Sequence, residues 1–345
     1  MIRIQNIYYM LSYTFQVLEE DRYRNVSSEY FEYATDLLAA ILAKGVTGQI
    51  KRGLGREYIL CEGILNTPRG KINISSSLKE RTIQKRQLVC KFDELSENVY
   101  VNQIIKTTAL LLINSNEVNP KRKSSLKKAM HYFLHINILQ PQSIKWTNIK
   151  YHRNNSTYKM LMNICYLVIE ALLPTTRNGL RKLMHYKEGS LHRLFEKFIL
   201  AYYKKHYPAF KVSSSCINWN IDDGQSDFLP IMKTDVLLEY NEKSLIIDTK
   251  FYNKILQENN LYNSNSIRSN HLYQIYSYVK NKDINHSGNV SGLLLYAKTD
   301  EEFIPNNNYL IDGNRISVKT LDLNREFIHI RNQLNNIVEE WINRA

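Results

Sequence analysis

Cysteine is scarce in this chain, with four in 345 residues, at Cys61, Cys90, Cys165 and Cys216. No two share a C-x-x-C spacing, and no histidine pair at zinc spacing accompanies them, which argues against a structural zinc site or a disulfide framework. Sparse, scattered thiols suit a reducing compartment, and a cytoplasmic location is expected. Long apolar runs are also missing. Stretches such as Ala109–Ile113 are far too short to span a bilayer, and the opening Met1-Ile2-Arg3-Ile4-Gln5-Asn6 lacks the apolar core of a signal peptide. No membrane partner is expected. There is no Walker A sequence, so a nucleotide-driven motor would have to come from a partner. No helix-turn-helix or zinc-finger signature locates base readout, and Ser-His-Asp or Cys-His catalysis has no local support. Internal repeats and low-complexity tracts are absent. Acidic residues are in deficit, 33 against 46 Lys plus Arg, for a formal net charge of +13. Such a field favours polyanions, with nucleic acid first among them.

What is present is enough apolar sequence, 43%, for packed cores. Residues 1–44 have helical spacing, through Ile7, Met10, Leu11 and Phe15, then Phe31, Leu37, Leu38 and Ile41, with Gly45 expected to stop the helix. Residues 47–75 change to strand formers (Tyr58, Ile59, Leu60, Ile64) punctuated by Gly53, Gly55, Gly63, Pro68 and Gly70. Helical patterns return at 98–116, from 121 onward and at 158–173. The basic stretches 79–91 and 121–128 read as solvated helix faces, with phosphate contact as the alternative. Pro174–Gly189 is rich in Pro, Thr, Asn, Gly and charge, which places a domain boundary near residue 180, giving domains 1–180 and 181–345. Beyond it, a helix carries Leu191, Leu194, Phe195, Phe198 and Ile199 on one stripe. Strands follow at 211–219, 234–240 and 244–251, then a helix at 271–279, a strand at 292–296 and a helix at 326–344. The expected fold class is α/β: an α+β N-terminal domain, then a C-terminal mixed sheet flanked by helices.

The chemistry concentrates in Lys233-Thr234-Asp235 and Ile247-Asp248-Thr249-Lys250. If Asn241-Glu242 forms a two-residue hairpin turn, Tyr240 pairs with Lys243, Leu238 with Leu245 and Val236 with Ile247. Asp235 then lies opposite Asp248, at a Cβ separation of roughly 5 Å. Lys250 shares the face of Asp248, and Thr249 points to the other. Two carboxylates so close repel unless a cation lies between them, and carboxylate oxygens suit Mg²⁺. The ion can bind a phosphate oxygen and acidify a bound water, while Lys250 orients that water or offsets charge on the phosphorane. Glu196, on the preceding helix and off its apolar stripe, is a candidate metal ligand. Gln274, on the following helix, is placed to contact the scissile phosphate or Lys250, and Tyr278 lies four residues on, on the same helix face. Together these residues describe a phosphodiester-hydrolysis site of PD-(D/E)xK type.

With these residues in hand, the chain resembles the McrC family. The resemblance runs through Asn6-Ile7-Tyr8-Tyr9-Met10-Leu11-Ser12-Tyr13, Lys44-Gly45-Val46, Arg52-Gly53-Leu54 with Tyr58, Glu62-Gly63-Ile64-Leu65 and Arg69-Gly70-Lys71-Ile72. It continues through Phe92-Asp93-Glu94-Leu95-Ser96-Glu97-Asn98, Asn102-Gln103-Ile104-Ile105-Lys106, Thr234-Asp235, Ile247-Asp248-Thr249-Lys250 with Tyr252, and Asn270-His271-Leu272-Tyr273-Gln274. Thr249 departs from the family, where Ala is frequent. The resemblance implies the nuclease subunit of a 5-methylcytosine-specific restriction complex. Its partner is an McrB-like hexameric AAA+ GTPase that binds the GTP, recognises double-stranded DNA with modified cytosine and drives translocation. The N-terminal domain is implied to be a stalk that enters the ring and stimulates GTP hydrolysis. The resemblance assigns no residue to that role, and Arg52, Arg56 and Arg69, considered because Arg stabilises transferred phosphate, read first as surface or turn arginines. Two other readings stay open: a non-catalytic adaptor and GTPase activator with a decayed nuclease fold, and a stand-alone DNA-repair nuclease.

Overall fold

The computed structural model describes residues 2–149, 151, 155–172, 188–251, 256–259, 264–298 and 304–343. The chain divides into two compact units: residues 1–37 with 174–345, and residues 38–173. The expected boundary near residue 180 lies outside the described residues. The division also assigns the first 37 residues to the unit of the C-terminal sheet, where the sequence pattern had grouped them with the N-terminal domain.

The reason lies in α1 (Ile4–Thr14) and its partners. Asn6 Nδ2 donates to the carbonyls of Leu323 and Arg325, both at 2.7 Å. Tyr13 packs edge-on against Phe198 and tilted against Tyr202 and Phe327. A short α2 (Arg24–Ser28) follows, and then α3 (Ala34–Arg52), within which the division between the units falls. Gly45 does not stop α3. Val46 is fully buried, and Thr47 Oγ1 donates back to the Ala43 carbonyl. The stop is Gly53, whose φ of +93° is the left-handed conformation that ends helices.

In residues 38–173, β1 (Glu57–Leu65) pairs antiparallel with β3 (Leu88–Ser96), and β2 (Lys71–Ile72) lies on the other side of β3. Between β2 and β3 runs α4 (Ile74–Lys79). Basic residues 79–91 are therefore not one helical face. Leu88, Val89 and Cys90 are strand residues, with Val89 opposite Ile64. Helices α5 (Tyr100–Asn114), α6 (Pro120–Met130) and α7 (Ser156–Leu172) supply the core. Asn102 ties it together: it accepts from Tyr158 Oη at 2.7 Å and donates to the carbonyls of Gly55 and Glu97.

The other unit is built on a six-stranded sheet whose strands lie in the order Asn307–Ile311, Asn314–Leu321, Val290–Ala297, Lys243–Lys250, Val236–Tyr240 and Lys211–Ser213. Helix α8 (Glu188–His206) buries the expected stripe of Leu191, Leu194, Phe195, Phe198 and Ile199. The strand expected over 211–219 is two short ones, β4 (Lys211–Ser213) and β5 (Cys216–Ile217). After β6 (Met232–Lys233), β7 (Val236–Tyr240) and β8 (Lys243–Lys250) form the hairpin in the expected register, with Asn241 at φ +52° in the turn. Strands β9 (Leu256–Asn259) and β10 (Ser264–Ile267) make a separate two-stranded ribbon. Helix α9 (Ser269–Lys282) leads to β11 (Val290–Ala297), which lies parallel to β8. Strands β12 (Asn307–Ile311) and β13 (Asn314–Leu321) complete the mixed sheet, and α10 (Phe327–Asn343) follows. The apolar runs of β8 and β11 are continuous because neighbours pair on both edges and helices pack over them. Gly292 in β11 permits the close approach of α9: a Cβ there would sit 2.8 Å from both Ile275 Cγ1 and Val279 Cγ2.

Candidate active site

Ile246, Asp248 and Lys250 alternate along β8 and share one face. Ile246 packs in the core formed with Ile275, Tyr278 and Val279 of α9, so that face is the α9 side of the sheet. Asp248 and Lys250 are almost fully enclosed there, at 3% and 8% exposure. Lys250 Nζ lies 2.8 Å from Asp248 Oδ2 and donates to Gln274 Oε1 at 2.9 Å. Gln274 Nε2 in turn donates to Tyr278 Oη at 3.0 Å, one helical turn further along α9. Lys250, Gln274 and Tyr278 thus form one chain of contacts.

Asp248 Oδ2 is buried, and the Lys250 ammonium 2.8 Å away is the charge that faces it. Burial pushes the Asp248 carboxyl up to about 6. Lys250 opposes that rise, and the nearby charge of Asp235 adds to it. Two carboxyls near one another in an enclosed site disfavour ionisation, and a cation would relieve both effects.

Asp235 lies one residue beyond the β7–β8 ladder, which ends at Val236 opposite Ile247. Its carboxylate is drawn to Thr249: Oδ2 accepts from both the Thr249 N–H and Thr249 Oγ1, each at 2.7 Å. Thr249 therefore grips a residue of the site, against the expectation that it faces away from it. The flanking Thr234 is buried and anchored by Ser215, whose carbonyl accepts from Thr234 N at 3.0 Å and from Thr234 Oγ1 at 2.9 Å.

Glu196 is half-buried on α8. Burial first, and then the charge of Asp235, raise its pKa, with His192 opposing. It feels the field of the site, but among the described residues no three His, Cys, Asp or Glu side chains converge as a closed metal cage. A metal here would have to take few side-chain ligands and keep waters, as Mg²⁺ does.

Sequence reasoning missed His192. It stands one turn before Glu196, and its Nε2 lies 2.8 Å from the Thr249 carbonyl. The i, i+4 spacing of His192 and Glu196 was the available signal. His271 entered only as part of a motif. It is buried, its Nδ1 is 2.8 Å from Tyr296 Oη, and burial together with the Lys250 charge lowers its pKa to about 4. It is a neutral supporting residue rather than an acid. The arginines singled out in the first half are held locally. Arg52 reaches Thr157, Arg56 binds Glu97 through two nitrogens, and Arg69 donates to the Asp93 carbonyl and stacks over Phe92. Tyr252 lies outside the described residues.

A family model described as McrBC 5-methylcytosine restriction system component matches residues 4–297. The chain is 25% identical over 346 residues, covering 99% of it and 98% of the relative, to the type IV methyl-directed restriction enzyme EcoKMcrBC of Escherichia coli (strain K12). Its fold is similar to a chain in the half-complex from the tetradecameric assembly of Thermococcus gammatolerans McrB AAA+ hexamers with bound McrC. That match has a TM-score of 0.51 and 15% identity over 97% of this chain and 76% of that one. A second likeness, to a chain of the Thermococcus gammatolerans McrBC complex, has a TM-score of 0.42 and 17% identity over 57% of this chain and 56% of that one. The family match spans both units, and this chain belongs to the family of McrBC 5-methylcytosine restriction system components.

Proposed function

We propose that this chain is the Mg²⁺-dependent DNA endonuclease subunit of a GTP-driven, 5-methylcytosine-directed restriction complex, and that it cuts with Asp235, Asp248, Lys250 and Gln274. The observation that carries the reading is the enclosed Asp248–Lys250 pair, with Gln274 on the ammonium and Asp235 near enough to raise the Asp248 pKa. The all-oxygen character of the two Asp groups, in an enclosed site where their charges oppose one another, fits a hard divalent cation. Asp235 and Asp248 would hold it, with Glu196 reaching it through water. When bound, such an ion acidifies water and draws charge from a phosphate oxygen.

The protein's own contribution is orientation and electrostatics. Lys250 is pinned by Gln274, so its charge is fixed where negative charge grows on the phosphorane. Gln274 is itself fixed by Tyr278, which leaves the Lys250 ammonium little freedom to wander. Enclosure strengthens each of these interactions, because little water is present to screen them.

Residues 38–173 would engage an McrB-like AAA+ GTPase hexamer and stimulate its GTP hydrolysis, and the partner would recognise modified cytosine in duplex DNA. In support, β1 and β3 expose apolar side chains, among them Tyr58 at 74%, Leu60 at 71% and Leu95 at 47%. Exposed apolar residues grouped on one small sheet are characteristic of a protein-binding surface. The test is cleavage of methylated and unmodified plasmid with Mg²⁺, GTP and the partner, comparing wild type with Asp248→Ala and Lys250→Ala. Loss of cutting in both variants, with GTPase stimulation retained, supports the division of labour. Undiminished cutting would remove the site and favour the adaptor reading.

A further inference from the structure

Thr249 sits between Asp248 and Lys250 on β8 and uses all three of its polar groups on the site. Its N–H and its hydroxyl both donate to Asp235 Oδ2 at 2.7 Å, and its carbonyl is 2.8 Å from His192 Nε2. The side chain is fully buried, so no water competes for that hydroxyl. A carboxylate oxygen offers two lone-pair directions. At Asp235 Oδ2 both are taken by Thr249, and only Oδ1 is left to bind a cation.

We infer that the Thr249 hydroxyl is a positioning element that makes Asp235 a one-oxygen metal ligand and so sets which cation the site accepts. This rests on the metal-dependent nuclease reading above. Small octahedral ions such as Mg²⁺ and Mn²⁺ are served by single carboxylate oxygens plus water. Ca²⁺ takes more oxygens and readily accepts two from one carboxylate. Without the hydroxyl, one lone pair of Oδ2 is freed. Asp235 is then held by a single hydrogen bond and can turn to offer both oxygens. The expected consequence is weaker Mn²⁺ binding and a smaller preference for Mn²⁺ over Ca²⁺.

The experiment is calorimetric titration of the full-length chain with Mn²⁺ alone and with Ca²⁺ alone, for wild type, Thr249→Val, Thr249→Ala, Thr249→Ser and Asp248→Ala. Valine keeps the shape of threonine and puts a methyl group in place of its hydroxyl. Alanine removes the hydroxyl in less space, so one of the two variants remains informative if the other folds poorly. The expected result is a loss of about tenfold in Mn²⁺ affinity for both, the scale on which groups supporting metal ligands act. Ca²⁺ affinity should fall less, and Thr249→Ser should bind both ions as wild type does. Wild-type Mn²⁺ affinity and preference in the Val or Ala variant, with binding abolished in Asp248→Ala, would overturn the role of Thr249 while upholding the site. Undiminished Mn²⁺ binding by Asp248→Ala would overturn the site itself.

Discussion

Gln274 Oε1 accepts a hydrogen bond from Lys250 Nζ at 2.9 Å, and this bond joins α9 to the end of β8. Removing it leaves the ammonium held by Asp248 without the second support, and does not remove its charge. Gln274→Ala is therefore expected to lower the cleavage rate of the assembled complex about 10- to 100-fold, through lost orientation. Lys250→Met should lower it further, because the charge itself is gone. Single-turnover plasmid cleavage ranks the two, and a Gln274→Ala rate equal to wild type would show that Lys250 needs no such support.

Metal should stabilise the fold through Asp248. A ligand that binds only the native state at 100 times its Kd adds about 2.7 kcal/mol. Thermal melts with Mg²⁺ or Mn²⁺, against melts with EDTA, are expected to show a higher Tm for wild type and no change for Asp248→Ala. A shift of equal size in that variant would place the ion elsewhere.

Asp283 closes the segment between α9 and β11. Burial alone would raise its pKa, but donation from Asn314, Ser287 and the Gly288 N–H outweighs it and holds the carboxyl at about 2, below its ordinary 3.8. A carboxyl depressed by folding stabilises the native state above the unfolded pKa, and that stability fades as pH falls through the folded one. Urea melts should therefore lose stability between pH 3.8 and about 2. Asp283→Asn is expected to cost about 1–3 kcal/mol at pH 7 and to flatten that acid limb. An unchanged limb in the variant would assign it to other carboxylates.

Gly292 is required by packing rather than by its backbone angle. The Cβ of a valine at this position would fall 2.8 Å from Ile275 Cγ1 and from Val279 Cγ2, before its two methyl groups are added. Overpacking of this kind costs about 1–3 kcal/mol. Because α9 carries Gln274, Gly292→Val should lower Tm and activity together, and a folded variant with full activity would show that α9 can shift at no cost to the site.

In residues 38–173, Asn102 is expected to matter in a different way. Asn102→Ala leaves the carbonyls of Gly55 and Glu97 without their donor and the Tyr158 hydroxyl proton without its acceptor, although that hydroxyl still accepts from the Gly55 N–H at 2.7 Å. A loss of about 2–3 kcal/mol should follow, read by denaturant melting, with metal binding by the full chain unaffected. A loss of metal binding would tie Asn102 to the site instead.

The sequence by itself determined the parts of the site that follow from short-range periodicity. A two-residue turn and a repeat of two place Asp248 and Lys250 on one face, and the Tyr240–Lys243 register follows from the same count. The stripe of α8 and the position of Gln274 one turn before Tyr278 follow from the helical repeat. These are local rules, and no distant residue alters them. Tertiary structure alone decided the rest. Asp235 turns to Thr249 because the ladder ends before it, and a carboxylate freed from the pleat takes the nearest buried donors. His192 reaches Thr249, and Asn6 reaches Leu323 and Arg325, across sequence separations of 57, 317 and 319 residues. Strands β12 and β13, and the membership of α1 in the C-terminal unit, likewise depend on which surfaces meet when the chain collapses. Periodicity states which face of an element is apolar, but the partner that covers that face is chosen only by packing.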